Sequence, residues 1–259
     1  LCLKLIYPHE RREKIIETLR KVGRIDVLKD AKLLGISSST LHRDLAEREK
    51  LGHLKKLRGG ASLVDGPQIH SRFNIRLGDN IRKKETIARN AIKKIKDDTS
   101  IFLDHSSTVF YLAREIKHSN YKNLIILTNS LAIPFELSPE IGVKVIMLGG
   151  IVEHEFRALS GRLLMETIRN FNLHQAFVSV AAISAEKGLM TQALFIQEFL
   201  PKLFSHANEI NILADSSKFQ KIGALQIAPL NSAMKVFSDN ELSDSVRSEL
   251  LQHVSEIII

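Results

Sequence analysis

Two groups of residues in this 259-residue chain have the types and spacing for chemistry with anions. The first is Ser37-Ser38-Ser39-Thr40 with His42 and Arg43 behind it, followed by His53-Leu54-Lys55-Lys56-Leu57-Arg58 and Gly59-Gly60. Hydroxyls at a helix start can satisfy N–H groups that lack intrahelical partners, and they can also bond phosphate. Lysine and arginine attract a polyanion, and an arginine fork or an imidazole can reach a base edge. The second group consists of polar strings that each follow an apolar run: Asp104-His105-Ser106-Ser107-Thr108, Thr128-Asn129-Ser130, Gly149-Gly150 and Asp215-Ser216-Ser217-Lys218. Hydroxyls and backbone N–H groups at a positive helix end suit an anion. Taken singly, a capping Asp, a turn Asn-Ser, a glycine pair and a surface Lys are ordinary structural choices. Four such strings at one edge of a sheet form a pattern.

The composition, 44% hydrophobic and 25% charged, is that of an ordinary globular protein without low-complexity tracts. Its net charge of +8 is uneven: residues 1–66 hold 15 Lys+Arg against 9 Asp+Glu, leaving 22 against 20 for the remainder. A basic first quarter joined to a nearly neutral remainder fits a polyanion-binding module attached to something else. The one cysteine, Cys2, provides no disulfide framework and no metal cluster by itself, and it fits a reducing cytoplasm. No apolar run approaches the roughly 18 residues needed to span a bilayer, and Leu1–Tyr7 is too short for a signal segment, so a cytoplasmic location and no membrane partner are expected.

The elements that must position these residues follow from periodicity. Ile15, Ile16 and Leu19 recur at helical spacing over Glu10–Val22, and Gly23 supplies a stop. Asp26 can cap a second helix, Val27–Leu34. Ala31, Gly35 and Leu41 then have the small, turning and wedging roles of a helix-turn-helix. The next helix, Ser38–Lys50, turns Leu41 and Leu45 inward and Thr40, His42, Arg43 and Glu47 outward, and Gly52 ends it. A two-stranded wing follows, with Leu54 and Leu57 expected to pack down and Lys55, Lys56 and Arg58 to lie against phosphates. Val64-Asp65-Gly66-Pro67 opens a linker expected to run to Asn80, kept basic by Arg72 and Arg76.

Beyond it, Lys83–Lys96 reads as a helix with Ile87, Ala88, Ala91, Ile92 and Ile95 on one face. Strands are expected at Ile101–Asp104, Leu124–Thr128, Val143–Leu148, Ala176–Val180 and Ile210–Ala214, with weaker ones at Leu225–Ala228, Val236–Ser238 and Ile257–Ile259. Helices fall between them, and continuous apolar strands alternating with helices predict a mainly parallel, Rossmann-like sheet covered on both faces. Ligands of such sheets bind beyond the carboxyl ends of the strands.

Arg11-x-x-x-Ile15, the string S-x-S-T-L-x-R-D-L from Ser37 to Leu45, and Arg58-Gly59-Gly60-Ala61 together resemble the winged helix-turn-helix of DeoR-type bacterial transcriptional regulators. L-A-D-S-S-K-F, from Leu213 to Phe219, is similar to a piece of the C-terminal sensor domain of those proteins, whose fold is like those of ribose-phosphate isomerase and glucosamine-phosphate deaminase. The resemblance implies a DNA-binding domain over residues 1–64, a linker over 65–80 and a sugar-phosphate-sensing α/β domain over 81–259. It implies DNA contacts from Ser37, Ser39, Thr40, His42, Arg43, Lys55, Lys56 and Arg58. An effector pocket would be lined by Asp104, Ser106, Ser107, Thr108, Thr128, Asn129, Ser130, Gly149, Gly150, Asp215 and Lys218, with Lys218 the cationic partner of the phosphate. The expected function is repression of carbohydrate genes by a homo-oligomer, dimer or tetramer, bound to double-stranded operator DNA and released by a phosphorylated sugar. No cofactor, catalytic residue or metal is expected.

The chain departs from the family at three places. His42-Arg43 stands where two arginines are usual, and His105-Ser106-Ser107-Thr108 stands where Ser-Gly-Thr-Thr follows the aspartate. The Gly and acidic residue usual near Val180-Ala181-Ala182-Ile183 are missing. Two alternatives stay open: an isomerase-like enzyme acting on sugar phosphates, and a DNA-binding protein whose degenerate sensor only oligomerises.

Overall fold

In the computed structural model, residues 15, 19, 24–50, 54–57, 59–63, 72–137, 142–219 and 221–259 are described. The chain separates into one unit of residues 1–68 and another of residues 69–259. In the first, strand β1 (Arg24–Asp26) runs into helix α1 (Val27–Leu34), which Asp26 caps by accepting the N–H groups of Leu28 and Lys29 at 2.9 and 3.0 Å. Gly35 ends α1 at φ 67°, a left-handed conformation that a side chain would strain, and the chain turns into α2 (Ser38–Lys50). Ala31, Leu41 and Leu45 pack with Ile15, Leu19, Ile25, Val27, Leu54 and Ala61 in one small core. Strand β2 (Leu54–Leu57) pairs antiparallel with β3 (Gly60–Leu63), and β1 lies on the other side of β3.

Leu57 corrects the reading of the wing: it is 51% exposed, whereas Leu54 is fully buried. The two leucines stand three residues apart on one strand, an odd step that sends them to opposite faces. Of the helix expected over Glu10–Val22, only Ile15 and Leu19 are described, both helical and buried. Gly52, Arg58 and residues 65–71 of the expected linker lie outside the described residues.

The second unit begins its described part with helices α3 (Arg72–Gly78) and α4 (Ile81–Ala91). Next come β4 (Ser100–Leu103), α5 (Ser107–Lys117), β5 (Leu124–Thr128), α6 (Ile133–Glu136) and β6 (Val143–Met147). A hairpin of β7 (Ile151–Glu153) and β8 (Ala158–Ser160) leads to α7 (Arg162–Ile168), β9 (Leu173–Val178), β10 (Ala182–Ser184) and β11 (Gly188–Thr191). The remaining elements are α8 (Leu194–Phe204), β12 (Ala207–Leu213), β13 (Leu225–Ala228), β14 (Met234–Phe237), α9 (Asp244–Leu250) and β15 (Glu256–Ile258). A seven-stranded sheet in the order β15-β14-β12-β9-β4-β5-β6 is parallel throughout.

Alternation along the strands fills both faces of this sheet. On β4, Ile101 and Leu103 join Ile87 and Ala88 of α4 and Val109 and Leu112 of α5, whereas Phe102 joins Phe199 and Leu203 of α8. The strand expected at Leu225–Ala228 has those bounds but lies outside the main sheet, pairing antiparallel with β11. The order runs outward from β4 in two directions, to β5 and β6 on one side and to β9, β12, β14 and β15 on the other. The β4/β9 boundary is therefore the topological switch point, where crossovers diverge and leave a crevice.

Helix α3 stands in place of a linker over the described part, residues 72–80, of the stretch expected as linker. Phe73 is 1% exposed and meets Phe110 edge-on at 5.7 Å, so this stretch belongs to the core of the second unit. No described helix is long and apolar enough to cross a membrane.

Candidate functional site

Loops at the carboxyl ends of β4, β9 and β12 surround a cavity of 310 Å³. Ser106, Ser107 and Thr108 come from the first loop, Ser179, Val180 and Ala181 from the second, and Asp215, Ser217 and Lys218 from the third. Asp104 ties two of these loops together without lining the cavity. Its carboxylate oxygens accept the N–H groups of Ser106 and Ser179 at 2.8 and 2.9 Å, with the residue only 1% exposed. Burial pushes its carboxyl up to about 6, and its bonds to Ser106 and Ser179 pull the other way. Ser106 then caps α5, accepting the Val109 N–H at 3.2 Å, so Ser107 and Thr108 stand in the first turn at the positive end of the helix dipole.

Arg76, Lys84, Lys218 and Lys221 bring four cations to the same cavity, together with the carboxylates Asp79 and Asp215. Burial lowers the pKa of Lys218, against the pull of Asp215. Lys84 is lowered to about 8, first by burial and further by the charges of Lys218 and Arg76, with Asp215 and Asp79 opposing. Desolvated like charges held together favour an anion between them, because an opposite charge offsets both burial and repulsion. Asp215 stands among these groups as a local cap, accepting the Ser217 N–H at 3.1 Å and the Asn80 side-chain amide at 3.2 Å.

Phe156, Ala193, Ile196 and Ile222 add apolar lining to the cavity. Phe156 precedes Arg157, a residue held in the left-handed region at φ 50°, and the Arg76 guanidinium lies 5.3 Å from the Phe156 ring centroid. His105 packs against Phe156 and Phe195, with ring centroids at 5.9 and 5.6 Å. Burial, assisted by Arg76, lowers its pKa to about 3. The imidazole is neutral near pH 7 and suits hydrogen bonding rather than proton transfer, which needs a group titrating near the working pH.

Of the residues expected to line an effector pocket, Ser106, Ser107, Thr108, Asp215 and Lys218 border this cavity, whereas Asp104, Thr128, Asn129, Ser130, Gly149 and Gly150 do not. The last five brace neighbouring backbone. Thr128 Oγ1 donates to the Leu103 carbonyl at 2.7 Å and accepts the Ser130 N–H at 3.0 Å. Ser130 Oγ accepts the N–H groups of Ala132 and Ile133, and Asn129 donates its amide to the Leu159 carbonyl at 3.1 Å. A Cβ on Gly150 would sit 2.2 Å from the Ser160 carbonyl oxygen, and one on Gly149 would sit 3.2 Å from a Leu163 methyl, so Gly150 lets β8 approach and Gly149 leaves room for Leu163 of α7.

Sequence reasoning missed Arg76, Asp79, Asn80 and Lys84 as cavity residues. Lys84 did carry a signal: it precedes Ile87 and Ala88 at helical spacing on the apolar face of α4, and it is 3% exposed.

In the first unit, α2 presents His42, Arg43 and Glu47 exposed, with Thr40 half-buried. Ser37 caps the helix, its Oγ accepting the Thr40 N–H at 3.1 Å and lying 2.8 Å from both Ser39 Oγ and Thr40 Oγ1. Lys56 is half-buried, and its N–H bonds Glu49 Oε1 at 2.8 Å, fixing the wing to α2. Lys55 lies opposite Ser62 in the hairpin.

A helix-turn-helix with an exposed second helix, joined to an α/β unit with a cation-lined cavity, defines a DNA-binding regulator with a sensing domain. Residues 11–66 match the DeoR-like helix-turn-helix domain and residues 79–240 the DeoR C terminal sensor domain. The chain belongs to the DeoR family of transcriptional regulators. The HTH-type transcriptional regulator GolR of Listeria innocua is 31% identical over 241 residues, covering 93% of this chain and 94% of that protein. The HTH-type transcriptional repressor GlcR of Bacillus subtilis is 30% identical over 237 residues, covering 90% of this chain and 89% of its own. Among solved structures, ribose 5-phosphate isomerase A of Methanocaldococcus jannaschii is similar at 18% identity and a TM-score of 0.37, over 52% of this chain and 53% of that one.

Proposed function

We propose that this regulator represses genes of carbohydrate metabolism in the cytoplasm and leaves its operator when a phosphorylated sugar occupies the cavity. The observation that carries the reading is the convergence of Arg76, Lys84, Lys218 and Lys221 with the α5 N-terminus on one cavity. The phosphoryl group binds between Lys218, Lys84 and the first turn of α5. The sugar lies toward His105 and Phe156, with Asp79 and Asp215 available to its hydroxyls. Ser37, Ser39 and Thr40 anchor α2 on phosphates, His42 and Arg43 read base edges, and Lys55, Lys56 and Arg58 hold the wing on the DNA backbone. The protein acts as a homo-oligomer, dimer or tetramer, on repeated half-sites, since symmetric assemblies set their reading helices at fixed spacing.

The test is thermal unfolding of the full chain against a panel of pentose and hexose monophosphates, because a ligand of the folded state raises Tm by mass action. At least one member should raise Tm in the intact protein and fail to do so in Lys218→Ala. A flat response across the panel would leave a DNA-binding protein whose second unit senses no sugar phosphate.

A further inference from the structure

Helix α3 is the first described element after the DNA-binding unit in the chain, and it is bonded both to the sheet domain and to the cavity. Phe73 is buried against Phe110, and the Tyr111 hydroxyl donates to the Leu77 carbonyl at 3.2 Å. The last carbonyls of a helix lack intrahelical partners. Here the Lys84 ammonium, from α4, donates to the carbonyls of Arg76 and Asp79. Asn80 turns the chain at φ 52° and gives its side chain to Asp215 instead of capping α4. Lys83 reaches Ser216 Oγ at 2.8 Å and Glu241 at 2.7 Å. The corner between α3 and α4 is thus held against the loop that carries Lys218, and its own Arg76, Asp79, Asn80 and Lys84 form part of the cavity wall.

An ammonium has three N–H donors. Two of those on Lys84 serve the carbonyls at the end of α3, and the third is available to an anion in the cavity. We propose that the α3–α4 corner is the relay of this regulator: an anion in the cavity engages Lys84 and Arg76 and so fixes the end of α3, through which the chain continues to the DNA-binding unit. This inference rests on the reading of the cavity as an anion site. A ligand shifts an equilibrium only by its differential affinity for two states. The state with a formed corner offers the anion Lys84 and Arg76 in place, and a state with a loosened corner does not.

Hydrogen–deuterium exchange on the full chain, with inorganic phosphate and glucose 6-phosphate as probes and Tm measured in parallel, tests the relay. A probe that raises Tm should slow exchange of amides in residues 72–82 by about tenfold. In Lys84→Met the slowing should be absent even at probe concentrations where the Tm rise has saturated. Tyr111→Phe, which lies outside the cavity and loses only the bond to α3, should keep the Tm rise and show a smaller slowing. Exchange over 72–82 that is unchanged while Tm rises overturns the relay and leaves the cavity reading intact, and so does a Lys84→Met protein that slows like the parent. No Tm rise with either probe removes the anion site and the relay together.

Discussion

The loops after β4 and β12 and the loop after β5 look alike in sequence, yet they do different work. All three are polar and follow apolar strands; Ser179-Val180-Ala181 after β9 joins the first set and Gly149-Gly150 after β6 the second. The first set surrounds the cavity, whereas Thr128, Asn129 and Ser130 direct their side chains to backbone groups, and Gly149 and Gly150 make room for Ser160 and Leu163. The difference follows from strand order: β4 and β9 flank the switch point, and β12 is the next strand outward. On the β5–β6 side, the β7–β8 segment covers the strand ends, with Leu159 N–H bonded to the Asn129 carbonyl at 2.8 Å and Leu131 N–H to the Arg157 carbonyl at 2.8 Å. A polar loop at a strand end therefore opens on a cavity only where diverging crossovers leave it uncovered.

Substitutions on the two sides of β4 should separate affinity from stability. The largest effect is expected for Lys218→Ala, which removes a charge-assisted bond to the phosphoryl group and should weaken effector binding by about 10- to 100-fold in calorimetric titration. Thr128→Val, on the other side, leaves the Leu103 carbonyl and the Ser130 N–H without their partner and should cost about 1–3 kcal/mol in denaturant unfolding. Effector affinity of that variant should stay within about twofold of the parent, since no cavity group is touched. A loss of affinity comparable to that of Lys218→Ala would break the division between the loops.

The pH dependence sharpens the same contrast. Lys84 has a folded pKa depressed to about 8, so it is charged below that value and loses its proton as pH rises through it. Effector affinity should hold at pH 7 and fall by about tenfold by pH 9, provided the ligand phosphate is already dianionic above its second pKa near 6. In Lys84→Met that fall should be absent. The smallest effect is expected for Ser130→Ala, which removes the acceptor of two N–H groups at the start of α6 and should lower stability by about 1 kcal/mol with binding unchanged.

Local chemistry made the DNA-binding unit readable. Asp26 and Gly35 delimit α1, and the bounds Val27–Leu34 and Ser38–Lys50 follow from caps and spacing within a few residues of each other. Leu124–Thr128 and, more weakly, Leu225–Ala228 were legible as strands, but their places in different sheets were not, because pairing is decided by residues far away in sequence. The same limit hid which strand-end loops form the cavity. Arg76 escaped for a different reason: Val64-Asp65-Gly66-Pro67 breaks periodicity, and a seven-residue helix held down by Phe73 is too short to announce itself by pattern, whereas Lys84 lay within the helix expected over Lys83–Lys96 but reads there as one surface lysine among several. Leu57 shows that alternation must be counted and not inferred from composition, since a step of three reverses the face.

The central claim is that occupancy of the cavity governs DNA binding by the other unit. It is tested most directly by fluorescence anisotropy of the full chain on DNA from beside its own gene, titrated with the sugar phosphate that most raises Tm. The account predicts that operator affinity falls by at least about tenfold at saturation, the scale of an ordinary allosteric coupling, and that Lys218→Ala stays bound throughout. Operator binding that is indifferent to a saturating ligand, or a Lys218→Ala protein released as readily as the parent, would contradict it.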